Sequence, residues 1–170
     1  GFRLSTGGVQ PALGVTPDMA VFAKSMSNGY PMGAVVGRRS VMEPAARMFI
    51  SSTYWHDCIG LRAALTTLQE VVRRDVPTQV QKYGEQLLPR INAAARDAGL
   101  PITCHGVNIH PHLRLEIEDP EQTKKLSTLY IQEMAKRGVH TAGGFMATLA
   151  HTDEDIKITA DAAREALTVV

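Results

Sequence analysis

The chain has 170 residues, of which 44% are hydrophobic and 21% charged, with 18 basic side chains against 17 acidic ones. That length supports a real core in one domain or two small ones, and the balanced charge, with basic pairs dispersed at Arg38-Arg39, Arg73-Arg74 and Lys124-Lys125, gives no electrostatic case for nucleic acid. Apolar runs stay far below the ~18 residues of a membrane span, and Cys58 and Cys104 have no C-x-x-C spacing, so no disulfide framework is expected and the cytoplasm is the expected compartment.

Met19 to Ala23 is a short apolar run after the turn residues Thr16-Pro17-Asp18, and its length predicts a buried strand. Lys24 follows at the strand end and is the only charge between Asp18 and Arg38. Ala34 to Val36 predicts a second strand closed by Gly37, and Ser40 with Glu43 predicts a capping box that opens a short helix.

From Ile59 the apolar residues Ala63, Ala64, Leu65, Leu68, Val71 and Val72 have helical spacing. Pro77 opens a further stretch through Val80, Leu87, Leu88 and Ile91 to Gly99, giving two helices or one bent helix. The change of style near Asp75 to Pro77 marks a domain junction, with residues 1–75 before it and 76–170 after it. His112 to Glu118 alternates Leu113, Leu115 and Ile117 with charged residues, a half-buried strand. Asp119 as cap, Pro120 at the first position and Gln122 at the third start a helix that stops at Gly138. Thr152 with Asp155 opens the last helix, carrying Ile156, Ile158, Ala162, Ala163, Ala166 and Leu167. Helices alternating with strands predict an α/β or α+β architecture.

A lone lysine at a strand end is ordinarily a surface group. Held among apolar and small residues, its amine instead becomes a nucleophile toward carbonyl carbon, able to form a Schiff base. A separate chemistry is offered by Cys104, His105, His110 and His112, since soft thiolate and imidazole ligands suit zinc, although their spacing matches no standard zinc module.

Gly1-Phe2-Arg3, Pro17-Asp18, Lys24, Gly29-Tyr30-Pro31, Gly33-Ala34 and Gly37 to Met42 occur in order and at the right spacing. This constellation resembles the class III aminotransferases, pyridoxal 5'-phosphate enzymes of fold type I, and particularly the glutamate-1-semialdehyde aminomutase-like branch. The resemblance implies an α/β fold in which residues 1–75 close the large cofactor domain and residues 76–170 form the small α+β domain. It implies Lys24 as catalytic and cofactor-binding residue through its Schiff base. Ser51 to Trp55 resembles the segment whose threonine, here Thr53, binds the cofactor phosphate of the neighbouring subunit, which implies a homodimer. It further implies a small-molecule amino donor and a carbonyl acceptor. The alternatives are an intramolecular aminomutase, a non-catalytic fragment or a metal-binding module.

The family's acidic partner of the pyridine nitrogen, its stacking aromatic and its phosphate loop precede the Gly1-Phe2-Arg3 segment, so the chain is expected to be part of a longer enzyme. Trp55-His56-Asp57-Cys58 departs from the commoner family pattern and leaves the substrate open. By residue type, Arg114 is a surface arginine before it is a carboxylate clamp. Phe145 and Met146 are expected to pack, and His151 to support the last helix.

Overall fold

A computed structural model describes residues 1–170. The chain divides into two compact units, Gly1–Pro77 and Thr78–Val170.

In the first unit, β1 (Met19–Phe22) pairs antiparallel with β2 (Ala34–Gly37), Met19 opposite Gly37 and Phe22 opposite Ala34. A short helix, α1 (Val9–Leu13), precedes them. The expectation of a buried strand does not hold, because Val21 is 73% exposed and Val35 51%. A two-stranded ribbon covers little by itself, and its one aromatic packing partner within the unit is Phe2, stacked on Phe22 with centroids 5.2 Å apart.

The helix expected with Ser40 as its cap starts two residues earlier, as α2 (Arg39–Met42) capped by Arg38 with no side-chain cap bond. Arg38 is held extended there: its N–H donates to the Asp18 carbonyl at 3.0 Å and its guanidinium pairs with the Asp18 carboxylate at 3.1 Å. Ser40 therefore lies inside the first turn, and Glu43 begins a 3-10 turn instead of closing a capping box.

α3 (Cys58–Arg73) is capped by Asp57, whose carboxylate accepts the Ile59 N–H at 2.9 Å. Gly60 is buried on it because a Cβ there would meet the Pro31 carbonyl at 2.9 Å, so the glycine lets the helix lie against the Pro31-Met32 backbone. Two residues, Arg74 and the left-handed Asp75 at φ 46°, separate α3 from α4 (Val76–Asp97). These are two helices, not one bent helix.

The second unit is built on α4. Val80, Tyr83, Leu87, Ile91, Ala94 and Ala95 recur at helical spacing and are buried. Complete burial of a leucine or isoleucine such as Leu87 or Ile91 is worth about 1.5–3 kcal/mol. Over them lies a hairpin of β3 (Ile102–Val107) and β4 (His110–Leu115), Ile102 opposite Leu115 and Val107 opposite His110. β3 has no counterpart among the expected elements, and β4, expected over His112 to Glu118, runs from His110 to Leu115 opposite it, followed by one further bond from Glu116 N–H to Pro101 O at 2.8 Å.

Asn92 pins β3 to α4, its side chain accepting the Cys104 N–H at 2.7 Å and donating to the Cys104 carbonyl at 2.9 Å. Residues 143–147 run along β4, with Leu113 N–H donating to Gly143 O and Phe145 N–H to Pro111 O, both at 2.8 Å.

α5 (Pro120–Lys136) has the expected start, with Asp119 accepting from Glu121 N–H at 2.9 Å, and gives way to Gly138 at φ 79°. α6 (Asp153–Leu167) carries the expected capping box: the Thr152 hydroxyl accepts the Asp155 N–H at 3.3 Å and the Asp155 carboxylate accepts the Thr152 N–H at 2.7 Å. Its inner face buries Ile156, Ala162, Ala163, Ala166 and Leu167, but Ile158 is 46% exposed and does not join the core. Arg137 ties the two helices together, bonded to Glu133 at 2.7 Å and Glu165 at 3.1 Å. No helix is long and apolar enough to cross a membrane.

Candidate active site

β1 ends at Phe22 and Ala23 remains extended, so Lys24 lies just beyond the strand and opens a 3-10 turn, Lys24–Ser27. Its φ is 55°, in the left-handed region. For a side chain with a Cβ that conformation costs roughly 1–2 kcal/mol, and lysine lacks the short polar group that lets asparagine tolerate it. Strain of this kind persists only where its surroundings over-determine it. Here β1–β2 pairing fixes one side, and buried Met26 and Ser27 anchor the other. The Ser27 hydroxyl donates to the Tyr30 carbonyl, and Asn28 and Gly29, at φ 48° and 104°, complete the turn.

The Lys24 side chain is exposed. This corrects the expectation of a lysine enclosed by apolar and small residues: backbone strain, not enclosure, sets it apart.

Thr53 is also exposed and belongs to the turn before α3, where Trp55 N–H donates to Ser52 O at 3.2 Å and Asp57 N–H to Tyr54 O at 3.1 Å. Two grooves flank the segment that leads from the lysine turn. One, of 530 Å³, is lined by Ser27, Asn28, Tyr30, Arg62 and Thr66 among others. The other, of 610 Å³, is lined by Pro31, Met32, Tyr54, Trp55, Asp57 and Gly60 among others. Neither Lys24 nor Thr53 lines these grooves. Arg62 and Thr66 stand one turn apart on α3, and the i, i+4 spacing that puts them on one side of the helix is legible in the sequence.

Strand alternation divides the residues considered for zinc. Cys104 faces the core, where burial pushes its thiol up to about 11, while His105 and His112 meet on the other face with ring centroids 4.3 Å apart. No three histidine, cysteine or acidic residues converge in a way that could hold a metal ion. Arg114 is exposed, Phe145 is buried, and Met146, expected to pack, is 56% exposed. His151 accepts the Thr148 N–H at 3.2 Å through Nδ1, and its ring lies 4.9 Å from that of Tyr83, a supporting position beside the start of α6.

This arrangement has the α/β fold of the fold type I pyridoxal-phosphate transferases. The FumI protein of Sphingopyxis sp. MTA144, solved in its PLP internal aldimine form, superposes with a TM-score of 0.91 at 24% identity, over 100% of this chain and 41% of that one. Residues 6–167 match the family described as aminotransferase class III, and the chain belongs to that family. It is 32% identical, over its whole length, to the 3-aminobutyryl-CoA aminotransferase of Cloacimonas acidaminovorans. Over 98% of its length it is 29% identical to the glutamate-1-semialdehyde 2,1-aminomutase 2 of Brevibacillus brevis. The chain spans 42% of the length of each of these two relatives.

Proposed function

We propose that this chain carries the lysine of a pyridoxal-phosphate-dependent enzyme that moves an amino group from a small-molecule amine or amino acid to a carbonyl acceptor. The observation that carries this reading is Lys24 itself, an exposed primary amine on a strained turn at the end of β1, within the stretch that matches the family. The residues present suit the cofactor. A primary amine is the partner its aldehyde requires, and the exposed Thr53 hydroxyl can donate to a phosphate oxygen.

Bound pyridoxal phosphate supplies an electron sink for charge developing next to the amino group. The chain's own residues do the rest. Lys24 Nζ would hold the cofactor covalently and, once freed by the substrate amine, would carry the proton from the substrate carbon to the cofactor carbon. Thr53 contributes to the phosphate site of a second subunit, which makes the working enzyme a homodimer, and the two free thiols, Cys58 and Cys104, suit a reducing cytoplasm.

An intramolecular aminomutase is the second reading, favoured by the Brevibacillus relative. It uses the same lysine and differs in returning the amino group to the skeleton it left. The test is the visible absorption of the protein with added pyridoxal phosphate, followed by challenge with an amino donor alone. A yellow band that is lost in Lys24→Ala and converted by the donor supports the reading, and release of a keto product assigns the transferase over the mutase. Identical spectra for the parent protein and Lys24→Ala would contradict it.

A further inference from the structure

The β3–β4 hairpin carries three imidazoles that the proposed chemistry leaves unused: His105 and His112, which stand opposite each other across the pair, and His110, two residues before His112. Strand alternation puts residues i and i+2 on one face, and a directly opposite pair comes closest together. The His105 and His112 rings accordingly lie 4.3 Å apart between centroids, with their planes at 62°, while His110 is 6.0 Å from His112. The three do not converge on one point, and Cys104 is buried on the core side. His105 and His112 are therefore a pair.

Two neighbours hold the His112 ring. Its Nδ1 lies 3.4 Å from the His110 carbonyl. A carbonyl can only accept, so Nδ1 carries the hydrogen and Nε2 keeps its lone pair. A hydrogen bond of this kind at one ring nitrogen is what orients an imidazole whose other nitrogen binds a metal. Gly106, at φ 107°, leaves room for the ring, since a Cβ there would come within 3.0 Å of His112 Cε1 and 3.1 Å of Nδ1. Both histidines are exposed, so an ion reaches them from solvent.

The spacing also selects the ion. With metal–nitrogen bonds of about 2.0 Å and the rings' own radius added, two imidazoles bound at a right angle place their centroids roughly 4.5 Å apart, and at the tetrahedral angle roughly 5.2 Å. The observed 4.3 Å suits the right angle, which belongs to square-planar Cu(II) and Ni(II) and not to tetrahedral zinc. Of the two, copper stands higher in the affinity order. We propose that His105 and His112 form an open two-imidazole site for Cu(II), its remaining positions left to water or an exchangeable ligand. The site belongs to the second unit, and amino-group transfer at Lys24 neither requires nor predicts it.

The test is titration of the protein, without pyridoxal phosphate, with copper(II) sulfate, following the ring Hε1 resonances of its six histidines by NMR. The paramagnetic ion should broaden His105 and His112 first, below one equivalent, and His56, His140 and His151 last. Electron paramagnetic resonance of the bound ion should show coupling to the nitrogens of two imidazoles. His105→Gln and His112→Gln should each weaken binding at least about tenfold, the least that a disturbed ligand shell costs, while His110→Gln should change it less than about twofold. The broadening is read in the parent protein, so it stands whether or not a variant folds. Broadening that starts at other histidines, coupling to a third imidazole, or equal losses in His110→Gln and His112→Gln would each overturn the proposal.

Discussion

Residues 78–170 bury Leu87, Ile91, Met134 and Leu167 to 1% exposure or less, whereas residues 1–77 leave Phe49 95%, Tyr54 79% and Val21 73% exposed. The second unit has helices beneath and beside its hairpin, so its apolar periodicity finds a layer to bury against. In the first, conformation rests on turns, caps and a two-stranded pairing: the Asp18–Arg38 tie, the Asp57 cap and the buried Ser27. The residue proposed for chemistry stands in the unit held by such local devices, and there it is the backbone that bears strain. Packing stabilises one half of this chain, and turn chemistry shapes the other.

The sharpest way to break this contrast is to truncate one apolar residue in each unit. Leu87→Ala should cost about 2–5 kcal/mol in denaturant unfolding, whereas Val21→Ala should stay within about 0.5 kcal/mol. Equal losses would mean that Val21 is buried in solution and that the contrast is wrong.

The strain at Lys24 supplies the next test. Glycine is ordinarily less stable than alanine at a regular position, but with φ at 55° the order should invert. Lys24→Gly should exceed Lys24→Ala in stability by about 1 kcal/mol, with both unable to hold the cofactor. Thr152→Ala, which removes one half of the α6 capping box, should cost a comparable ~1 kcal/mol and act on the second unit.

The smallest expected effect is a pH dependence. Hydrogen bonds from the Thr152 backbone and hydroxyl lower the pKa of Asp155, and those from Lys136 and Arg137 lower that of Glu133. Each group is more acidic folded than unfolded, so its contribution is complete above the ordinary carboxylate range. It is lost as pH falls through the lowered folded value. Acid titration of unfolding should show this loss diminished in Asp155→Asn and in Glu133→Gln.

Where a signal was local and its partner adjacent, the sequence was legible. Asp119-Pro120 with Gly138, and Thr152 with Asp155, needed no tertiary information, because each satisfies helix-end groups within its own turn. Ser40 and Glu43 have the same spelling, yet a long-range tie between Arg38 and Asp18 shifted the helix start. β3 is not legible in the sequence, because Cys104 and His105 suit metal ligands as well as they suit a strand and their alternation gains meaning only opposite β4. At the candidate site, the family resemblance pointed to Lys24, but its left-handed backbone has no spelling in residue type. Arg62 and Thr66 became visible as groove residues only once helices had neighbours.

The measurement that tests the central claim most directly is peptide mapping by mass spectrometry after the protein is incubated with pyridoxal phosphate and reduced with borohydride. The account predicts a reduced cofactor adduct confined to the peptide containing Lys24 and absent from Lys24→Ala. An adduct spread over Lys82, Lys124 and Lys125, or one that survives in Lys24→Ala, would contradict it.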